Sequence, residues 1–278
     1  MASIPPEQLK FYAEFIEKNL GIIYQDTNFF QLEHRLLDVM TQMGLSGPDE
    51  LYSKARAGMD PTMRELLLDL ATNNETSFFR DVGVFQTLQN HIIPMIASLP
   101  SAPPIIRVWS AAGSTGQEAY SIAMVFEQMK EQGANPPDYF IHVSDFSERV
   151  LNRARDGVYS QLEIQRGLPA RFMVNFFTKD NDNKWSVKPE LKANMSFKRI
   201  NLLDPWFFAQ PFHVVFCRNV LIYQSVENKA QVVDRIYHNL VDGGVLVMGA
   251  AESLLGVSDK FEQMQPATSV FYRKPLPK

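Results

Sequence analysis

Apolar positions over residues 7–72 recur at helical spacing. Phe11, Phe15, Ile16 and Leu20 form one stripe, Phe29, Leu32, Leu36, Leu37 and Met40 a second, and Leu66, Leu67 and Leu70 a third. Gly21, Gly44 and Asp60-Pro61 punctuate them. The pattern predicts an all-α N-terminal domain over residues 1–72. "NNETSFFRD" (73–81) is polar, then aromatic, then charged, and reads as a connection. A further helix is expected over about 82–98, ending at "LPSAPP".

From residue 105 the period changes. "IIRVW" reads as a strand, and 116–132 as a helix with Ala119, Ile122, Ala123, Phe126 and Met129 on one face. "YFIHVSD" is a second strand, followed by a short helix from Ser147. "FHVVFC" (212–217), a helix over about 226–240 and "GGVLVMGA" repeat the alternation. Apolar strands alternating with helices predict a parallel sheet covered on both faces. The interval 157–200 breaks the rhythm. "KDNDNK" lies there between short β-like pieces, "KWSVK" and "MSFKRI", which predicts an inserted helix and a small antiparallel sheet. The α/β domain then covers residues 73–278, with a β-insert at about 157–200.

Composition narrows the classes. The 278 residues are 45% hydrophobic and 21% charged, enough for a sizeable core. The net charge of −4 argues against a protein that grips nucleic acid mainly through phosphates. The single cysteine, Cys217, excludes a disulfide framework within one chain and suits a reducing compartment. It closes an apolar strand and reads as a buried small residue rather than a nucleophile. Neither a signal-peptide pattern nor an apolar run of about 20 residues is present, so a cytoplasmic address without membrane insertion is expected.

The stretch "RVWSAAGSTGQEAYSIA" (107–123) carries the first chemical signal: a strand, a turn of small residues, then a helix. Small residues let a backbone approach a ligand, and a helix N-terminus offers free N–H groups. A phosphate-binding P-loop needs a lysine here, and a dinucleotide fold needs G-x-G-x-x-G. Only Gly113 and Gly116 occur, three apart, and the loop has no lysine. A nucleoside without phosphates relaxes both demands, and S-adenosylmethionine is such a ligand. Asp145, at the second strand's end, can accept both ribose hydroxyl hydrogens. Alternatively it caps the helix that starts near Ser147. Glu118, in the first helical turn after the loop, can face the ligand's positive amino group or sulfonium, or simply complement the helix dipole. His34, His91, His142, His213 and His238 are scattered, and no metal site is expected. Trp109, Trp185 and Trp206 read as packing, and "NPPD" (135–138) as a turn.

Six segments together resemble one family in order and spacing. They are "NNETSFFRD" (73–81), "WSAAGSTGQEAYSIA" (109–123), "VSDFSERVLNRARDGVY" (143–159), "FKRINLLD" (197–204), "VVFCRNVLIY" (214–223) and "GGVLVMGAAESL" (243–254). The family is the chemotaxis receptor methyltransferases of the CheR type, and the resemblance covers nearly the whole chain. It implies a Rossmann-like methyltransferase domain with a small antiparallel β-insert, after an all-α domain. The implied cofactor is S-adenosyl-L-methionine, with S-adenosyl-L-homocysteine as product. The implied partners are cytoplasmic helices of methyl-accepting chemoreceptors, whose glutamates are esterified by a protein expected to act as a monomer. Residue by residue, Asn74, Thr76 and Arg80 match the cofactor-contacting linker motif. Glu118 matches an acidic cofactor contact, and Asp145 the ribose aspartate. Asn201 and Leu202 match the adenine side. Arg218, Asn219 and Tyr223 match the segment closing the site near the methyl group. Arg80 and Tyr223 are the candidates to hold and orient the acceptor carboxylate.

Two positions depart from the family pattern. The usual G-E-E-P-Y-S is here Gly116-Gln117-Glu118-Ala119-Tyr120-Ser121, which keeps the second acidic residue and loses the first. In "EHRLLDVM" (33–40), Leu37 and Asp38 stand where basic residues are common in a helix suited to an acidic receptor surface. Arg35, Lys54, Arg56 and Arg64 are the remaining candidates for a basic face. Two rival functions keep the same cofactor residues: a CheR-like module that binds S-adenosylmethionine or its product without catalysis, and a methyltransferase for a small-molecule carboxylate.

Overall fold

The computed structural model describes residues 4–99, 102–264 and 271–277. Four helices come first: α1 (Pro6–Leu20), α2 (Phe29–Met43), α3 (Pro48–Gly58) and α4 (Pro61–Ala71). The expected breaks act as caps. Gly21 and Gly44 close α1 and α2 at φ 70° and 66°, a left-handed conformation that glycine adopts without penalty. Asp60 accepts from the Met63 N–H and starts α4. The predicted stripes meet in one cluster that includes Tyr12, Ile16, Leu32, Leu36, Val39 and Leu67. Each large apolar side chain buried there stabilises the fold by roughly 1.5–3 kcal/mol relative to exposure.

Residues 82–97 are helical, as α5 (Val82–Thr87) and α6 (Ile93–Ala97) joined by a π turn at Leu88–Ile92, where the periodicity predicted one helix. Of the expected "LPSAPP" stop, Pro100 and Ser101 lie outside the described residues. The remaining elements are β1 (Ile105–Ala111), α7 (Gln117–Glu131), β2 (Asp138–Asp145), α8 (Glu148–Asp156), β3 (Val158–Ser160), α9 (Gln161–Gln165), α10 (Ala170–Phe176), β4 (Phe177–Lys179), β5 (Lys184–Val187), α11 (Pro189–Lys192), β6 (Met195–Arg199), β7 (Phe212–Cys217), α12 (Val226–His238), β8 (Leu240–Met248), β9 (Glu262–Met264) and β10 (Phe271–Arg273).

The main sheet runs β6-β2-β1-β7-β8-β10-β9, with β6 through β8 parallel and β10 and β9 antiparallel. Alternate strand residues enter two separate clusters. Val108, Val214, Phe216 and Val247 pack under α5–α7, whereas Trp109, Val215, Cys217 and Leu246 pack under α12. This two-sided burial is why those strands read as unbroken apolar runs. Trp109 and Trp206 stack edge to face in the second cluster, and Cys217 is buried, with desolvation holding its thiol protonated.

The insert also differs from expectation. β3, β5 and β4 form the small antiparallel sheet, but "MSFKRI" does not join it. As β6 it pairs parallel with β2, Asp145 opposite Arg199, at the edge of the main sheet. Its period-2 pattern is common to both kinds of sheet, so only the pairing partner distinguishes them.

The chain runs outward from β1 through β2 to β6, then returns to β7 on the other side of β1. Such a reversal opens a crevice at the carboxyl ends of the strands. The helical unit is seated over that crevice by polar contacts. Asn201 donates to the Asn19 carbonyl (2.8 Å), Gln224 to that of Leu20 (2.8 Å), and the Ile23 N–H to that of Tyr223 (2.9 Å). Arg149–Asp69 (2.7 Å) and Arg199–Glu65 (2.8 Å) add two ion pairs.

Candidate active site

A cleft opens at the ends of β1, β2 and β7, roofed by Leu20 and Ile22 of the helical unit. This is the position of a cofactor site in an open α/β sheet. Asn74, Thr76, Arg80, Glu118, Asp145, Asn201, Leu202, Arg218, Asn219 and Tyr223 all line it.

The floor is the small-residue turn. Ala112 and Ser114 hold φ of 53° and 51°. A Cβ at Gly113 would meet Val143 at 2.7 Å, and one at Gly116 would meet Ala154 at 2.9 Å, so the glycines let this turn lie against β2 and α8. Asp145 stands beside it, 6% exposed. One carboxylate oxygen accepts from the Ser114 N–H and the other from the Ser147 N–H, each at 3.0 Å. Each oxygen keeps a second lone pair. Burial pushes this carboxyl up to about 6, and the two backbone donors oppose that rise. The expected helix cap falls to Ser147, whose hydroxyl accepts from the Val150 N–H.

The far wall is a polar knot. The Arg218 side chain, 2% exposed, pairs with Glu118 (3.1 Å) and Asp81 (2.5 Å) and donates to the Arg80 carbonyl (3.2 Å). Ser110 donates to the other Glu118 oxygen (2.9 Å). Glu118 is therefore a bridge between β1 and β7, beyond the dipole complement its sequence position suggested.

The linker 73–81 crosses the mouth. Arg80 donates to the Glu75 carbonyl (3.1 Å) and the Phe79 N–H to the Ser121 hydroxyl (2.9 Å). Asn73 donates to the Tyr223 hydroxyl (3.0 Å). Phe79 and Asp81 hold φ of 49° and 61°, costly for non-glycine residues and worst for an aromatic. Arg35 turns inward and donates to the Leu70 carbonyl and to that of Thr72 (2.6 Å), anchoring the start of the linker. It therefore does not belong to the basic face expected of it.

The "CheR methyltransferase, SAM binding domain" family matches residues 74–270. The chemotaxis protein methyltransferase of Vibrio parahaemolyticus is 34% identical over 98% of this chain and 98% of its own. Chemotaxis protein methyltransferase Cher2 of Pseudomonas putida is 35% identical over 93% and 94%. This chain belongs to the CheR methyltransferase family. Among solved structures, the N-methyltransferase NodS of Bradyrhizobium japonicum, in complex with S-adenosyl-l-homocysteine, covers 78% of this chain at 15% identity and a TM-score of 0.43.

S-adenosylmethionine is accordingly the cofactor of this CheR methyltransferase, and the cleft fits it. A buried carboxylate with a free lone pair on each oxygen suits a pair of ribose hydroxyls. Ile200, Leu202 and Phe85 offer apolar walls for a base. Two of the nominated side chains are already engaged within the protein. Asn201 uses its amide on Asn19 and its oxygen on the Leu203 N–H. Arg218 is held by two carboxylates. Several residues went unmarked by sequence reasoning. Asp81 completes the knot around Arg218, and Glu75 pairs with Arg166 of the insert (2.5 Å). Glu252, 5% exposed, accepts backbone N–H bonds from Asn219, Val220, Leu221, Ile222 and Gly249. The only signal for Glu252 was its place in "GGVLVMGAAESL" (243–254), one of the six segments that carry the resemblance, where no role was given to it.

Proposed function

We propose that this CheR methyltransferase acts in the cytoplasm, as a monomer, on glutamate side chains in the cytoplasmic helices of chemoreceptors. The observation that carries the reading is that Arg80 and Tyr223 line the same cleft as Asp145, with no histidine among the described residues that line it. A glutamate carboxylate has a reference pKa of about 4.3 and is already an anion at neutral pH. It needs alignment and exclusion of water, not a general base.

When bound, S-adenosylmethionine supplies an electrophilic methyl group on a sulfonium. Asp145 would hold the ribose hydroxyls, Leu202 would line the adenine side, Asn74 and Thr76 of the linker would contact the cofactor, and Asn219 would close the site near the methyl group. One guanidinium nitrogen of Arg80 is tied to the Glu75 carbonyl, which fixes its reach. Its remaining donors are available to a carboxylate. The Tyr223 hydroxyl accepts from Asn73, so its own hydrogen is left to donate to the acceptor. A module that only bound the cofactor would need the Asp145 side of the cleft and the linker, Arg80 included, and would have no use for a Tyr223 hydroxyl free to donate to an acceptor.

Residues 1–72 are then the domain that meets the receptor and residues 73–278 the domain that holds the cofactor. Docking through a basic α2 is weakened here. Arg35 is consumed by the linker, and His34 and Asp38 lie on the exposed face. The test is transfer of labelled methyl to source-cell membranes with alkali release of methanol. A glutamyl ester is base-labile, and a methylated amine is not.

A further inference from the structure

We propose that Glu252 is a positioning residue for methyl transfer, acting through the segment Asn219–Tyr223. This rests on the acceptor role given above to Tyr223.

Glu252 lies on the loop after β8, and its carboxylate reaches the loop after β7. One oxygen accepts from the N–H of Asn219 (2.7 Å) and of Gly249 (2.8 Å). The other accepts from Val220 (3.0 Å), Leu221 (2.8 Å) and Ile222 (3.2 Å). Four successive backbone donors thus converge on one buried carboxylate, at the start of the 3-10 turn Leu221–Tyr223. Asn219 is held at φ 59°, a conformation that lets consecutive N–H groups point to one side. Gly249 belongs to the same construction. A Cβ there would meet Asn219 Nδ2 at 2.7 Å and Glu252 Oε2 at 2.9 Å.

The segment so fixed does three things. It puts the Asn219 side chain and the Tyr223 ring on the cleft wall. It presents the Tyr223 hydroxyl to Asn73 of the linker. It offers the Tyr223 carbonyl to Ile23, the seat of the helical unit. Asp145 and the turn 112–116 are not hydrogen-bonded to Glu252, so the ribose side does not depend on it directly; Asn219 is the cofactor-lining residue that does. A glutamine cannot replace it. Both oxygens accept at least two N–H groups, so either orientation of the amide aims an NH₂ at backbone donors.

The test uses the full chain carrying Glu252→Gln, assayed for cofactor affinity, methyl transfer and amide hydrogen exchange at a temperature where it is fully folded. Amides 219–222 are expected to exchange at least about tenfold faster, with those of β1 and β2 unchanged. The kcat for methyl transfer is expected to fall by about tenfold or more, and by a clearly larger factor than the affinity for S-adenosylmethionine, which is touched only through Asn219 while Asp145 and the turn 112–116 are left in place. If Glu252→Gln does not fold, Gly249→Ala disturbs the same carboxylate and takes the same assays. Wild-type kcat in the variant, or a loss of transfer that only tracks the unfolded fraction, would overturn the proposal. Exchange and cofactor affinity are read without any acceptor. A wild-type protein that esterifies no glutamate would therefore sink the proposed function and leave the 219–222 clamp separately measured.

Discussion

Asp145 and Tyr223 face the same cleft, but the walls that carry them are built differently. Asp145 ends a central strand of the main sheet, and its carboxylate is oriented by backbone N–H groups next to it in space, from Ser114 and Ser147. Tyr223 lies on an irregular segment held by charged side chains from distant parts of the chain: Glu252 beneath it and Arg218, with Glu118 and Asp81, just before it. The cofactor wall inherits its rigidity from the sheet. The acceptor wall is fixed by buried polar groups that stabilise only while every partner is present. Positive φ is common to both walls: Phe79, Asp81 and Asn219 hold it where the linker and the closing segment meet, and Ala112 and Ser114 hold it in the turn beside Asp145.

The comparison breaks first at Asp145. On the proposed ribose role, Asp145→Ala would remove two charge-assisted contacts to the cofactor, and its affinity should fall by about a hundredfold or more, read by isothermal titration calorimetry. Arg218→Met strips the far wall of its cation and leaves Glu118 and Asp81 unpaired. Urea unfolding should show a loss of about 3 kcal/mol, softened because Asp81 is partly exposed. An equal stability in this variant would mean that the knot is not what holds the wall. Tyr223→Phe removes only the hydroxyl hydrogen, so kcat should fall by about tenfold with cofactor affinity unchanged.

The pH dependence sharpens the same contrast. The ribose contact needs Asp145 ionised, and burial raises its carboxyl to about 6. Cofactor affinity should be flat above neutrality and should fall as pH drops through 6, by up to about tenfold per pH unit. Asp145→Asn should bind weakly at every pH, without that slope. The smallest effect is expected at α2. Asp38→Lys should leave stability within about 0.5 kcal/mol of wild type and lower the KM for an acidic receptor substrate.

The Asp145 side of the cleft was legible in the sequence because it is built from local patterns. Gly113 and Gly116 share one small-residue turn, and Asp145 ends an obvious strand. The four-helix unit was legible for the same reason: stripes and breaks are local patterns. The acceptor wall was legible only through resemblance. Nothing local marks Glu252 as the partner of residues 219–222, or Asp81 as the partner of Arg218. Both depend on loops from separate strands meeting at one end of the sheet. Arg35 reads as surface charge on an amphipathic helix until the end of α4 is seen to present carbonyls to it. The same lack of long-range information put β6 in the small sheet, although its pattern was read correctly as β.

The most direct test is radiolabelled methyl transfer from S-adenosylmethionine to source-cell membranes, with alkali used to release volatile methanol. The account predicts base-labile label in bands of chemoreceptor size, and none with Asp145→Ala. Cofactor binding without labile label would contradict it and would leave the Arg80–Tyr223 wall without its proposed purpose.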